Sequence, residues 1–387
     1  MNDEGGVLMI FDEFSPSRTR RTLTAGGRAL RALGLDGPLT GVLALIVCIG
    51  ILVVYSASGQ NVKMVEHHLA NIAIAVTAML ALAKLTTPQY LRLFSPAAYI
   101  IGILLLVVVA VTGHIGKGAQ RWLDVGFLRF QPSEIMKLAV PMMCAWYMHE
   151  RPLPPTFFDL LVMGVLIMIP TAMIVVQPDL GTALLIAASG LIVMLLAGMH
   201  FRIILISIPL LGGAAWGAWH VIHDYQRQRI LTFLDPETDP LGAGYHIIQS
   251  QIAIGSGGVF GKGYMNGSQA QLEFLPERST DFIFAVIGEE FGLLGQLLIL
   301  TLYAVVIGRA LYLAMQGQDT FARLTGGAIA LSFFVYVFVN SGMVSGVLPV
   351  VGVPLPLISY GGTSMVTLLA GFGILMSLHS HRKLIGS

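Results

Sequence analysis

LEFLPERSTDFIFAVIGEE, running from Leu272 to Glu290, is where a long polar loop turns into a hydrophobic helix. Five ionisable groups crowd that boundary: Glu277, Arg278, Asp281, Glu289 and Glu290. A charge placed where a chain passes into lipid is costly, so it marks a partner or a function. Asp281, beside Thr280 at the expected helix start, serves there either as a helix cap or as a carboxylate facing a water-filled cleft. Glu289 and Glu290 lie about 12 Å further in. That is too deep to act with Asp281 as a glycosidase-like carboxylate pair. Helix packing or an internal ion partner is their expected use.

Outward from this boundary the composition is that of a membrane protein. Of 387 residues, 55% are hydrophobic and 11% charged, and mean hydropathy is +0.79; soluble domains carry about 25% charged residues. Repeated apolar runs imply an all-α polytopic integral membrane protein rather than a barrel. Ten apolar segments are counted, at 38–56, 69–86, 97–113, 133–149, 159–177, 181–198, 202–220, 281–312, 323–346 and 362–380. Only a few residues separate the fifth, sixth and seventh, which makes them tight hairpins. The eighth is long for one crossing, so it tilts or protrudes. A net charge of +1 gives no basic field for nucleic acid. Cys48 and Cys144 both fall in apolar runs, with neither a disulfide framework nor metal spacing.

Lysine and arginine set the expected orientation. With the N-terminus in the cytoplasm, thirteen fall in inside segments and eight in outside ones, leaving Lys137 within a span. Both termini are therefore expected in the cytoplasm. Residues 1–37, acidic and then arginine-rich, read as a cytoplasmic tail disordered at its start, with no cleavable signal. Residues 38–387 form a single ten-helix membrane domain that includes a long outer-face loop, 221–280. Seven of the eight outside charges sit in two loops, 114–132 and 221–280.

In the first loop, glycines at 113, 116 and 118 give bends, and Lys117 and Arg121 offer paired cations. Trp122 suits the membrane interface. Pro132 and Ser133 then start a helix in which Glu134 and Lys137 share a face. Lys137 snorkels outward, pairs with Glu134 or faces a polar cavity. A structural ion pair and substrate contact are compatible there. In VVQPDLGTALL, Asp179 after Pro178 reads as a helix cap that also places a carboxylate on the outer face. The second loop carries GSGG and GKG, which lack Walker spacing and a preceding strand, so no nucleotide site is assigned. A piece around Tyr245–Ile254 is amphipathic and reads as a short interfacial helix. Asn340–Ser364, NSGMVSGVLPVVGVPLPLISYGGTS, is apolar yet holds Pro349, Pro354 and Pro356, so it cannot be a regular helix. Such backbone near lipid depth must pack in protein or line a cavity; it reads as a loop closing one side of a cleft.

Two of these stretches carry a resemblance. LPVVGVPLPLISYGGTS is similar to the signature of the SEDS proteins (shape, elongation, division and sporulation). LEFLPERSTDFIFAVIGEEFG resembles the SEDS segment before the eighth helix, and its Pro-Glu-Arg form points to the RodA branch rather than the FtsW branch. KGAQRWLDVGFLRFQPSEIMKLA and QPDLGTALL also match RodA-like segments. The resemblance runs from about Gly37 to Lys383 and implies the ten-span SEDS fold. It departs at Ser279, where the family commonly has histidine before Thr-Asp.

The resemblance implies a peptidoglycan glycosyltransferase that polymerises lipid II at the outer face of the bacterial cytoplasmic (inner) membrane, for cell elongation and shape. Its implied partners are a class B penicillin-binding protein, the transpeptidase, and other elongation-complex membrane proteins. By the resemblance Asp281 is the essential aspartate and general base, and Glu134, Lys137 and Asp179 belong to the outer cavity. Lys117, Arg121 and Arg278 are candidates to meet the charge on departing undecaprenyl pyrophosphate, with a divalent cation, Mg or Mn, as a further candidate and no organic cofactor expected. The rival readings are a lipid II flippase and a non-catalytic scaffold for the transpeptidase. The gathering of charge at one face, rather than in a line across the bilayer, favours the enzyme.

Overall fold

The computed structural model describes residues 34–112, 114–116, 119–124, 129–200, 203, 205, 209, 213, 217, 243–272, 274–275 and 277–380. The N-terminal tail up to 33, Lys117, nearly all of the expected seventh span, and the start of the long loop lie outside the described residues. The helices α1 (Gly37–Ala57), α2 (Val62–Leu85) and α3 (Pro88–Thr112) come first. A small antiparallel sheet follows, in the order β1 (His114–Gly116), β2 (Ala119–Asp124) and β3 (Arg129–Phe130). Then come α4 (Pro132–Met148), α5 (Phe157–Val176), α6 (Leu180–Leu196), α7 (Ala243–Gly257), the short α8 (Ser268–Gln271), α9 (Ile283–Met315), α10 (Thr320–Val344) and α11 (Gly362–Ser380). Nine of the ten expected spans thus appear as helices among the described residues. Seven of those are long and apolar enough to cross a membrane, and α6 is a shorter apolar helix. The protein is a multi-pass helical membrane protein of about ten spans.

Two helices start well before their apolar runs. Asn61 caps α2 by accepting from the Met64 amide at 3.2 Å, and Pro88 suits the first turn of α3. Their first turns are polar, so an apolar window misses them. α10 and α11 are the most enclosed of the crossing helices, with 61% and 67% of their apolar windows buried. The others present wide apolar faces outward.

The long eighth span is broken. Gly292 inside α9 has φ 66° and ψ −163°, a conformation essentially confined to glycine. The glycine-rich stretch after α7 fills the break. The amides of Leu293 and Leu294 donate to Gly258 O (3.0 Å) and Val259 O (3.2 Å), while the amides of Lys262 and Gly263 donate to Glu289 O (3.0 Å) and Glu290 O (2.9 Å). Backbone groups freed inside a bilayer must find partners, and these four bonds supply them. Only glycine lets the two chains approach so closely: a Cβ on Gly261 would stand 2.2 Å from Glu290 O. Lys262 Nζ also reaches the buried Glu289 carboxylate at 2.7 Å, the internal ion partner expected for that residue. Gly292→Ala combines forbidden backbone with a Cβ 2.4 Å from Gly261 N. It is expected to destabilise the protein by at least about 1–3 kcal/mol from strain alone, read as a lowered melting temperature in detergent.

The helix read around Tyr245–Ile254 is present as α7, which packs against α9 and buries Gly244, Ile247, Ser250 and Ala253. Ser250 Oγ ties it to Val344 O at 2.8 Å.

At the opposite end of the bundle, Asp36 caps α1 and takes a two-pronged bond from Arg309 of α9, at 3.0 and 2.7 Å. Burial raises the Asp36 carboxyl pKa, but the bonds from Arg309 and the Leu39 amide outweigh it, so the carboxyl titrates below its ordinary value. A depressed folded pKa stabilises above the unfolded value of about 3.9 and stops doing so as pH falls through the folded value. The melting-temperature gap between wild type and Asp36→Asn is therefore expected at neutral pH and to close in strong acid.

Candidate functional site

Residues 345–361, between α10 and α11, form a strap of irregular backbone with Val353, Leu355, Leu357, Ile358 and Ser359 buried. It lies deep in the protein because its carbonyls find partners: Tyr303 Oη donates to Pro356 O at 2.6 Å. Neighbouring helices meet it at glycines, since a Cβ on Gly181 would stand 2.5 Å from Val351 O. The strap and its flanks grip the segment before α9. The Tyr360 amide donates to Ser279 O at 2.8 Å. Ser359 Oγ donates to Thr280 O at 2.5 Å. Asn340 Nδ2 donates to Asp281 O at 2.8 Å and to Val353 O at 2.7 Å.

The start of α9 bears on the cap reading of Asp281. Helix α9 begins at Ile283 with Phe282 in the cap position and no side-chain cap, so neither Thr280 nor Asp281 caps it. Thr280 Oγ1 instead bonds Glu277. The Asp281 carboxylate stands 3.4 Å from where a Cβ on Gly352 would be, and Gly352 lines a cleft of about 710 Å³.

That cleft gathers side chains from distant parts of the chain: Arg121 and Trp122 of β2, Gln131 just before α4, Glu134 and Lys137 of α4, and Asp179 at the start of α6. α2 adds Asn71, and the strap and α11 add Gly352–Pro354 and Gly361–Ser364. Lys137 Nζ meets Glu134 Oε1 at 2.7 Å, both side chains under a tenth exposed, and lies 5.2 Å over the Tyr336 ring. Glu134 Oε2 is buried with no hydrogen-bond partner among the described residues. Asp179 does cap α6, its Oδ1 accepting from the Thr182 amide at 3.2 Å. Its Oδ2 accepts from Gln131 Nε2 at 3.0 Å and faces Arg121 at 3.8 Å. Arg121 also bonds the Gln177 and Pro178 carbonyls, which fixes β2 against the α5–α6 hairpin.

Four of the candidates, Arg121, Glu134, Lys137 and Asp179, therefore share one cleft, with Asp281 against its wall. Arg278 is not among its lining residues; its Nε donates to Ala57 O at 2.7 Å, at the C-terminal end of α1 where a cation is favourable. Lys117 lies outside the described residues. Sequence reasoning did not single out Asn71, Gln131 or Tyr336. Asn71 carried the clearest signal, a lone amide within an otherwise apolar stretch of α2.

A second cavity, of about 410 Å³, adjoins the first and shares Phe130, Glu134, Val366 and Thr367 with it. Its other walls are chiefly apolar, among them Leu82, Leu91, Phe94, Leu138 and Met142 from α2, α3 and α4. Glu134 thus stands where a charged cleft meets an apolar groove. Among the described residues no three His, Cys, Asp or Glu side chains converge as a metal shell.

Gly352 has φ 72°, so Gly352→Ala brings backbone strain and a methyl against the Asp281 carboxylate. The variant is expected to lose activity by more than about tenfold, a change the strain alone would explain only in part. Activity per folded molecule is the measurement.

The bundle thus holds a charged cleft that adjoins an apolar groove. The chain belongs to the FtsW/RodA/SpoVE family of cell cycle proteins, whose family model matches residues 38–384. It is 52% identical over 352 residues to the peptidoglycan glycosyltransferase MrdB of Escherichia coli K12, covering 91% of this chain and 95% of that one. It is 31% identical to the peptidoglycan glycosyltransferase RodA of Treponema pallidum, covering 86% and 95%. Among solved structures it matches a chain described under structural coordination of polymerization and crosslinking by a peptidoglycan synthase complex. There the TM-score is 0.79 and identity 29%, over 90% of this chain and 99% of that one. The rod shape determining protein RodA of Thermus thermophilus matches with TM-score 0.69 and 26% identity, over 90% and 98%.

Proposed function

We propose that this protein is a peptidoglycan glycosyltransferase that polymerises lipid II at the outer face of the bacterial inner membrane, for cell elongation. The observation that carries the reading is the meeting of Arg121, Glu134, Lys137 and Asp179 in one cleft that has Asp281 against its wall and an apolar groove beside it. The groove suits polyprenyl tails and the cleft suits sugars and pyrophosphate.

In the proposed reaction a GlcNAc 4-hydroxyl attacks the anomeric carbon of a second lipid-linked saccharide. The new O–C1 bond forms as the bond to the pyrophosphate oxygen breaks, and its electron pair leaves with undecaprenyl pyrophosphate. Asp281 takes the hydroxyl proton, since an alcohol is a poor nucleophile without a base. Pyrophosphate needs no proton to leave, but its developing charge needs cations. Arg121 is our described candidate, with Lys117 beside it in sequence. One displacement inverts the α-linked donor to a β-linked polymer. A divalent cation, Mg or Mn, bound at the pyrophosphate would supply further positive charge there. We assign as partner a class B penicillin-binding protein. The architecture shared with a chain of a solved peptidoglycan synthase complex supports that pairing.

The test is lipid II polymerisation by the purified protein, with and without the transpeptidase and divalent cation. Glycan chains that depend on this protein support the reading. No chains from well-folded protein under any of these conditions would return weight to a flippase or a scaffold.

A further inference from the structure

The opposite end of the bundle holds a second polar site. α4 starts with Glu134 in the cleft and runs for 17 residues to Met148, which carries its far end about 25 Å away. There Arg92, Trp146, Tyr147, His149, Glu150 and Arg151 enclose a cavity of about 490 Å³. Trp146, in its lining, is exposed, as is Tyr90, two positions before Arg92. Tryptophan and tyrosine on a membrane protein are enriched at the level of the lipid headgroups.

The charges in this cavity are not alike. Arg151 is held by Asp159 at 2.7 Å and lies 4.0 Å from the Tyr147 ring centroid, so its charge is already matched. Arg92 makes no ion pair among the described residues; its guanidinium donates to His149 Nε2. That bond requires the proton of the neutral ring to sit on Nδ1. His149 Nδ1 is buried with no partner among the described residues. Glu150 is exposed and makes no ion pair there either. One cavity at headgroup level thus offers an unmatched cation, a spare N–H donor, an unmatched carboxylate and an indole face.

We infer that this cavity binds the headgroup of a phosphoethanolamine lipid, the phosphodiester on Arg92 and the primary ammonium on Glu150 and Trp146. The mixed signs select this head. A free phosphate or an anionic glycerol head leaves Glu150 without a cation. A choline head brings a cation that cannot donate hydrogen bonds to a carboxylate. The acyl chains would lie along the exposed apolar faces of α3 and α5. The inference does not depend on the reaction at the distant cleft.

The experiment extracts the full-length protein from bilayers of mixed phosphatidylethanolamine, phosphatidylglycerol and phosphatidylcholine and identifies retained lipid by native mass spectrometry. Wild type is expected to retain phosphatidylethanolamine selectively. Arg92→Gln is expected to lower retention about fivefold, the factor for one basic group at a lipid surface. Glu150→Gln, an exposed and therefore well-tolerated change, is expected to keep phospholipid but lose the choice of ethanolamine. Lys84→Gln, an exposed cation at the same end but outside the cavity, is expected to change neither. Equal retention of all three classes by wild type, or unchanged retention in Arg92→Gln, would overturn the inference. So would displacement of the lipid by excess inorganic phosphate, which would make this a soluble-anion site.

Discussion

Asp281→Asn is expected to insert and fold as wild type does and to lose glycan polymerisation by about 10²–10⁴-fold, the usual worth of a positioned general base. The fold survives because the described clamps on this segment hold main-chain carbonyls. Tyr360 N bonds Ser279 O, Ser359 Oγ bonds Thr280 O, and Asn340 Nδ2 bonds Asp281 O. None of the three needs a carboxylate at position 281, and no side chain caps α9. An amide keeps the shape of the carboxylate but loses its charge and its ability to take a proton. The measurement is chain formation from lipid II beside a melting curve of the same preparation. A variant that melts as wild type and still polymerises would remove Asp281 from the reaction. The clamp has a corollary: Asn340→Ala should lower the turnover number, since the same amide holds the Asp281 carbonyl and that of cleft-lining Val353.

Lys137→Met has the second large expected effect, and a double variant divides it into two parts. Lys137 and Glu134 are paired at 2.7 Å with both side chains nearly enclosed. Removing one partner strands the other charge, at a cost of about 3–5 kcal/mol. Replacing both by neutral groups, Glu134→Gln with Lys137→Met, is expected to recover most of that stability. Polymerisation is not expected to recover, because Glu134 Oε2 is left without a described protein partner where the cleft meets the groove. Melting losses that simply add would show that the pair is not coupled. Full activity in a stable double variant would reduce the pair to a structural role.

The helical architecture was legible because lipid enforces it. Nothing but a continuous apolar helix satisfies its own backbone in a bilayer, so apolar runs such as 38–56 and 323–346 correspond to α1 and α10 within a few residues. The starts of α2 and α3 were less legible because their first turns are polar. The bends expected in 114–132 turned out to be a three-stranded ribbon, whose pairing depends on contacts that periodicity over so few residues cannot reveal. The site was legible in part. Glu134 and Lys137 are three apart on one helix, and local geometry alone pairs them. Arg121 and Asp179 are 58 positions apart, and only the folded hairpin brings them together. Arg278 looked like a site cation from its neighbours in sequence; they could not show that its Nε bonds a carbonyl of α1, more than 200 residues away. Gly257 of GSGG and Gly261 of GKG allow close approach to a broken helix, a use that could not be read without the break at Gly292.

That break leaves two half-helices, each held by protein. Residues 293–315 are tied to the strap through Tyr303 and to the start of α1 through Arg309. The half-helix that begins just after Asp281 is bonded to the chain between Gly258 and Gly263. Tilt set by such packing, rather than by bilayer thickness, leaves the carboxylate in place when a bilayer thins. Polymerisation is accordingly expected to vary little between short-chain and long-chain phospholipid bilayers, so one machine can work across membranes whose thickness changes with growth temperature.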